Sequence, residues 1–139
     1  MKGACACNAV TVTLTVDRKS VYACRCEACR RWTGSAFLSV HAEDTEVSID
    51  GPVRAYRSSK HAERGFCGTC GSALFFRMTA GDIVSYGLAA GLFEELEDQP
   101  LRAEYFVDAP DAFRIAGTHP RYTGEQTVAR SEPQRGAPR

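Results

Sequence analysis

The sequence predicts a mainly β, single-domain protein built from many short strands, and three observations lead there. Residues 9–16 alternate strictly between apolar side chains and threonines. Gly, Pro, Asp and Ser recur between short apolar runs, and no long amphipathic helical pattern interrupts them. Seven cysteines fall into three tight groups, which gives a small core a second means of being held together.

Taken in order, Val10, Val12, Leu14 and Val16 face one way and Thr11, Thr13 and Thr15 the other, the pattern of a half-buried strand. Asp17-Arg18-Lys19-Ser20 reads as a turn, and Val21-Tyr22-Ala23 leads into the central cysteines. One helical turn is expected over residues 29–32, ended near Gly34. Residues 37–41 and 46–49 read as short strands, the second closed by Asp50-Gly51-Pro52. Further strands are expected at 53–57, 73–78, 83–88 and 104–108, with Gly81-Asp82 as the turn between the third-last and the second-last of these. Residues 64–67 enter a turn at Gly68, and 91–96 suit a short helical stretch. From Arg121 onward Gly, Pro, Gln and Arg dominate, so a folded domain over 1–120 and a disordered tail over 121–139 are expected.

Bulk properties narrow the function. The chain has 139 residues, 44% of them hydrophobic, with 17 basic and 17 acidic side chains. A neutral balance offers no electrostatic footprint for nucleic acid, and no apolar run approaches the ~20 residues needed to cross a bilayer. The residues after Met1 do not form an apolar leader, so a cytoplasmic protein with reduced thiols is expected.

The cysteines carry the chemistry. Cys5 and Cys7 form C-x-C, Cys24, Cys26 and Cys29 form C-x-C-x-x-C, and Cys67 and Cys70 form C-x-x-C. An odd number in a reducing compartment argues against disulfides, whereas metal ligation needs no even count. Zinc takes thiolates at ~2.3 Å in a tetrahedron, and close pairs let one turn supply two ligands. A redox C-x-x-C would open a helix, but Cys67 and Cys70 are followed by strand-like Ala73-Leu74-Phe75-Phe76. Cys24, Cys26 and Cys29 lie close enough together to reach one ion, which leaves Cys5, Cys7, Cys67 and Cys70 as a complete four-sulfur site. A set of three either keeps a fourth position for water or substrate, as catalytic zinc does, or is completed by a His, Asp or Glu, with His41, His61 and His119 as candidates.

Three stretches in this order resemble one known family. They are Gly3-Ala4-Cys5-Ala6-Cys7, the run from Cys24-Arg25-Cys26 through Cys29-Arg30-Arg31-Trp32 to Phe37, and Arg64-Gly65-Phe66-Cys67-Gly68-Thr69-Cys70-Gly71-Ser72-Ala73-Leu74. Over roughly residues 3–115 the chain resembles the glutathione-dependent formaldehyde-activating enzyme family, which also includes the centromere protein V-like proteins. The resemblance implies a zinc-ribbon-related β-tent fold of short antiparallel strands with two zinc ions per chain. Cys5, Cys7, Cys67 and Cys70 would hold a structural zinc, and Cys24, Cys26 and Cys29 a catalytic one. The implied reaction is carbon–sulfur lyase chemistry, the addition of glutathione to formaldehyde to give S-hydroxymethylglutathione. Many members carry His where this chain has Arg25, and a late His and Trp where it reads Glu104 and Phe113.

Thiol addition to an aldehyde needs a thiolate and an electrophile, and zinc can lower the pKa of a thiol or polarise a carbonyl. Arg25, Arg30 and Arg31 would offset the charge of three thiolates or pair with the carboxylates of glutathione, unless they form only a solvated basic face. Lys60 and Arg64 are weaker candidates for that role, and Trp32 is expected in the core. The competing function is a non-catalytic zinc protein that binds or carries glutathione or a protein partner.

Overall fold

The computed structural model describes residues 1–80, 83–107 and 123. The Gly81-Asp82 turn, Phe113, His119, the end of the expected last strand at Asp108 and, apart from Thr123, the expected tail lie outside the described residues.

Among the described residues, ten strands and one short helix follow each other in the order β1 (Lys2–Ala4), β2 (Thr11–Leu14), β3 (Val21–Cys24), α1 (Glu27–Thr33), β4 (Phe37–Glu43), β5 (Val47–Asp50), β6 (Val53–Ser59), β7 (Ala62–Cys67), β8 (Ala73–Ala80), β9 (Ile83–Ala89) and β10 (Leu101–Tyr105). Single 3₁₀ turns lie at Asp44–Glu46, Ala90–Leu92 and Glu94–Leu96. Among the described residues the strands form two sheets: a small one ordered β1-β2-β5 and a larger one ordered β10-β3-β4-β9-β8-β7-β6. The protein is mainly β, as expected.

The core fills the space between the sheets. The alternating strand delivers Val10, Val12 and Leu14, all fully buried, into one cluster with Val40, Leu74, Leu88 and Phe93 from the larger sheet and its 3₁₀ turns. Along β4 the same alternation works in both directions. Val40 and Ala42 join that cluster, while Phe37, Ser39 and His41 line a cavity.

Four features differ from the sequence expectation. The strands are not all antiparallel: β10 runs parallel to β3, pairing Leu101 with Val21 and Tyr105 with Cys24. Its span is 101–105 rather than 104–108. β1 was not foreseen, because Lys2-Gly3-Ala4 carries no apolar alternation; it exists as the antiparallel partner of β2, Gly3 opposite Val12. The helix is longer than one turn because Cys26 caps it, its Sγ accepting the Cys29 amide at 3.5 Å where a serine or aspartate oxygen usually serves.

Gly3 is placed where no side chain fits. A Cβ there would lie 2.4 Å from the backbone oxygen of Leu92, which cannot swing aside. Gly3→Ala is therefore expected to lower stability by about 1–3 kcal/mol, read from urea denaturation midpoints.

Candidate metal centres and the adjoining cavity

The seven cysteines are brought together as two groups, and all seven thiols are free of disulfides. In the first, the sulfurs of Cys5, Cys7, Cys67 and Cys70 lie within 4.8 Å of one another. Cys5 and Cys7 follow β1 directly, Cys67 ends β7, and Cys70 sits in the turn before β8. The group therefore bridges the small sheet to the large one. Cys5 Sγ is 3.6 Å from Cys7 Sγ, which is 3.9 Å from Cys67 Sγ. A tetrahedron with metal–sulfur bonds of ~2.3 Å has edges of about 3.8 Å, so this donor set fits a zinc-sized ion.

Backbone amides are turned toward these sulfurs. Val10 N donates to Cys5 Sγ at 3.2 Å, and Thr69 N and Cys70 N approach Cys67 Sγ at 3.4 and 3.5 Å. Gly71 makes the second turn possible with a left-handed φ of 76°, its N–H closing on Cys67 O at 2.9 Å. The Ser72 hydroxyl joins the two halves: it accepts from Ala6 N at 3.1 Å and lies 3.2 Å from Cys70 Sγ. That hydroxyl and the Ser72 amide bring the exposed Cys70 thiol down to about 5. A cluster of amides and a hydroxyl around sulfur is what a set of thiolates requires.

The second group is Cys24, Cys26 and Cys29, again within 4.8 Å. Cys24 ends β3, Cys26 is the helix N-cap and Cys29 completes its first turn, so a short segment turns all three sulfurs to one side. No His, Asp or Glu joins them among the described residues. His61 stands exposed in the β6–β7 turn, and His119 lies outside the described residues. Without an ion, burial and the Cys24 charge beside it push the Cys29 thiol up to about 12, while Arg64 pulls the other way. A bound dication would reverse that balance, since crowded thiols ionise together only around a cation.

All three of these cysteines line a cavity of about 450 Å³. Its floor comes from alternate residues of the larger sheet, Phe37 and Ser39 on β4, Phe76 and Met78 on β8, Ser85 and Gly87 on β9. His41 stacks flat on Tyr22 with ring centroids 4.3 Å apart, and Tyr105 lies parallel to both. Burial, with the charge of Arg18, moves His41 below its ordinary pKa. His41, one of the three histidines considered to complete the three-cysteine set, does not join it, and the two-residue period from Phe37 places it on the same face of β4 as the cavity residues.

Arg64 is the basic residue at this cavity. It is 6% exposed, and its guanidinium lies over Trp32 at 5.0 Å and over Phe76 at 5.2 Å. Its Nη1 is 3.7 Å from Cys29 Sγ. Its buried Nε has no hydrogen-bond partner among the described residues. Arg31 instead pairs with Glu27 at 2.6 Å on the helix surface, and Arg30 donates from Nε to Arg25 O at 3.1 Å. Arg25 is itself buried, its amide bound to Tyr105 O. Lys60 is exposed in the β6–β7 turn. Trp32 packs on Phe37, half-buried. Beyond Arg64, a second hollow of about 350 Å³ is lined by Arg31, Glu27, Trp32, Tyr56 and Ser58.

Comparison with known proteins bears on the fold and the family. A crystal structure of a Rhodobacter sphaeroides protein has a similar fold, with a TM-score of 0.61 at 21% identity over 75% of this chain and 99% of that one. An uncharacterized lyase of Schizosaccharomyces pombe is 31% identical over 129 residues, 91% of this chain and 93% of the yeast protein. The family model of the glutathione-dependent formaldehyde-activating enzyme matches residues 1–109, which hold both cysteine groups and the cavity. The chain belongs to the glutathione-dependent formaldehyde-activating enzyme family.

Proposed function

We propose that this protein is a zinc-dependent carbon–sulfur lyase-type enzyme that joins glutathione, or a similar thiol, to formaldehyde or another small aldehyde. The observation that carries the reading is the three-cysteine group, joined by no further His, Cys, Asp or Glu among the described residues and set in the wall of a cavity. The family and the yeast relative described as a lyase support the reaction class. Cys5, Cys7, Cys67 and Cys70 would hold a structural zinc, and Cys24, Cys26 and Cys29 a catalytic one, two ions per chain. The seven unpaired thiols suit a cytoplasmic setting, and among the described residues no helix is long and apolar enough to cross a membrane.

In the reaction the thiol sulfur forms a bond to the aldehyde carbon as the carbonyl π bond opens. The proton leaving the thiol ends on the former carbonyl oxygen, giving S-hydroxymethylglutathione from glutathione and formaldehyde. Zinc held by three cysteines would supply a thiolate at neutral pH and a Lewis acid beside it. Three thiolates around a dication carry one net negative charge, and the Arg64 guanidinium is held by its two aromatic neighbours where it offsets this charge. Arg64 and Arg31, the latter already paired with Glu27, line the second hollow together and would supply the positive charge for the carboxylates of glutathione there. Arg30, engaged with the Arg25 carbonyl, adds positive charge on the same helix.

Two zinc ions per chain by elemental analysis, together with accelerated exchange between formaldehyde and its glutathione adduct in NMR, are the expected results. Saturable glutathione binding without acceleration would instead favour the carrier. Arg64→Gln is expected to lower kcat/KM about 100-fold. Arg64→Lys should recover only part of this, since lysine keeps the charge but not the planar stack.

A further inference from the structure

Formaldehyde is comparable in size to one or two water molecules, each about 30 Å³ in the liquid. The cavity beside the three cysteines is about 450 Å³ and is walled by Phe37, Phe76, Met78, Tyr86, Tyr105 and Phe106. Neither a one-carbon aldehyde nor the polar peptide of glutathione needs such walls. The peptide's carboxylates instead match the arginine-bearing hollow on the other side of Arg64.

Phe106 adds a second, independent observation. It lies directly after β10 with a left-handed φ of 58°, a conformation that a bulky residue rarely adopts. Phe106 is nevertheless 59% exposed, so burial among the described residues does not account for the strain. Met78 and Tyr105, 43% and 41% exposed, share this rim of the cavity. A strained backbone that holds an aromatic ring in solvent at the edge of an apolar cavity suits a ring that meets a ligand.

We infer that the substrate carries an apolar substituent of about the size of a phenyl ring on the carbon that joins the sulfur, so that the preferred electrophile is an arylalkyl or medium-chain aldehyde rather than formaldehyde. This inference rests on the thiol–aldehyde reading of the site. Adding such an aldehyde to the thiol follows the same balance, with the carbon–sulfur bond formed, the carbonyl π bond opened and the thiol proton placed on oxygen. The substituent lies against Phe76, Met78 and Phe106 while the reacting carbon faces the cysteine group.

The test uses zinc-loaded protein and alcohols that cannot be attacked, so binding reports the cavity alone. By calorimetry, 2-phenylethanol is expected to bind at least about tenfold more tightly than ethanol. Phe106→Gly and Met78→Glu should each weaken 2-phenylethanol at least about fivefold. The melting temperature of Phe106→Gly should match or exceed that of the parent protein, because glycine accepts the left-handed φ without strain. A 2-phenylethanol affinity no better than that of ethanol, or one unchanged in both variants, overturns the inference. Turnover of glutathione with formaldehyde and no gain with phenylacetaldehyde would overturn it while leaving the proposed reaction standing. Variant-sensitive 2-phenylethanol binding in a protein that turns over no glutathione–aldehyde pair would overturn the proposed reaction and, with it, the aldehyde assignment that rests on it.

Discussion

Cys67→Ser is expected to leave little folded protein at room temperature. Cys67 is 1% exposed and ends β7, and its sulfur stands with those of Cys5, Cys7 and Cys70 where the two sheets meet. An ion held there ties residue 7 to residue 67 through a loop of about 60 residues, a long closure whose entropy cost is removed from the unfolded chain. Apparent binding free energies of structural zinc are about 10–16 kcal/mol, as large as the whole stability of an ordinary domain. Loss of one sulfur should therefore cost about 5 kcal/mol or more. Circular dichroism and urea denaturation would show it, and a strong chelator should have the same effect on the parent protein. A Cys67→Ser midpoint within about 1 kcal/mol of the parent would mean that no ion cross-links the sheets.

Cys24→Ser should behave in the opposite way, with activity falling at least about 1,000-fold in a chain that stays folded. Cys24, Cys26 and Cys29 lie on one continuous stretch from the end of β3 into α1, so an ion there closes only a local loop. Cys24 is half-buried and neither caps the helix nor receives the Arg64 contact, roles that belong to Cys26 and Cys29. It is therefore the cysteine of this group whose change disturbs packing least. Zinc content should fall from two ions toward one, with the melting temperature lowered by only a few degrees. If Cys24→Ser unfolds as completely as Cys67→Ser, the central site is structural and the catalytic reading fails.

The same contrast between local and long-range order separates what could be read in advance from what could not. Val10, Val12 and Leu14 announced a buried face because a strand repeats every two residues, and all three are fully buried. The division of the cysteines was legible for a related reason. Close ligand pairs come from single turns, so spacing along the chain stands in for distance in space, and the two sulfur groups have the expected members. The tertiary structure alone decided the rest. β1 has no pattern of its own and depends on β2, and the parallel pairing of β10 with β3 joins segments about eighty residues apart, so neither leaves a local periodicity. That pairing sets Tyr105 and Phe106 beside Cys24, and the β7–β8–β9–β4 order sets Phe76 and Arg64 across from them. Arg30 and Arg31 stood out in the sequence because they adjoin cysteines, whereas Arg64 reaches Cys29 only through the sheet. The sequence by itself determined the strand faces and the grouping of the sulfurs, because both follow from neighbours a few residues apart. The cavity, its aromatic walls and its buried arginine were decided by strand order, because each depends on contacts between residues far apart in the chain.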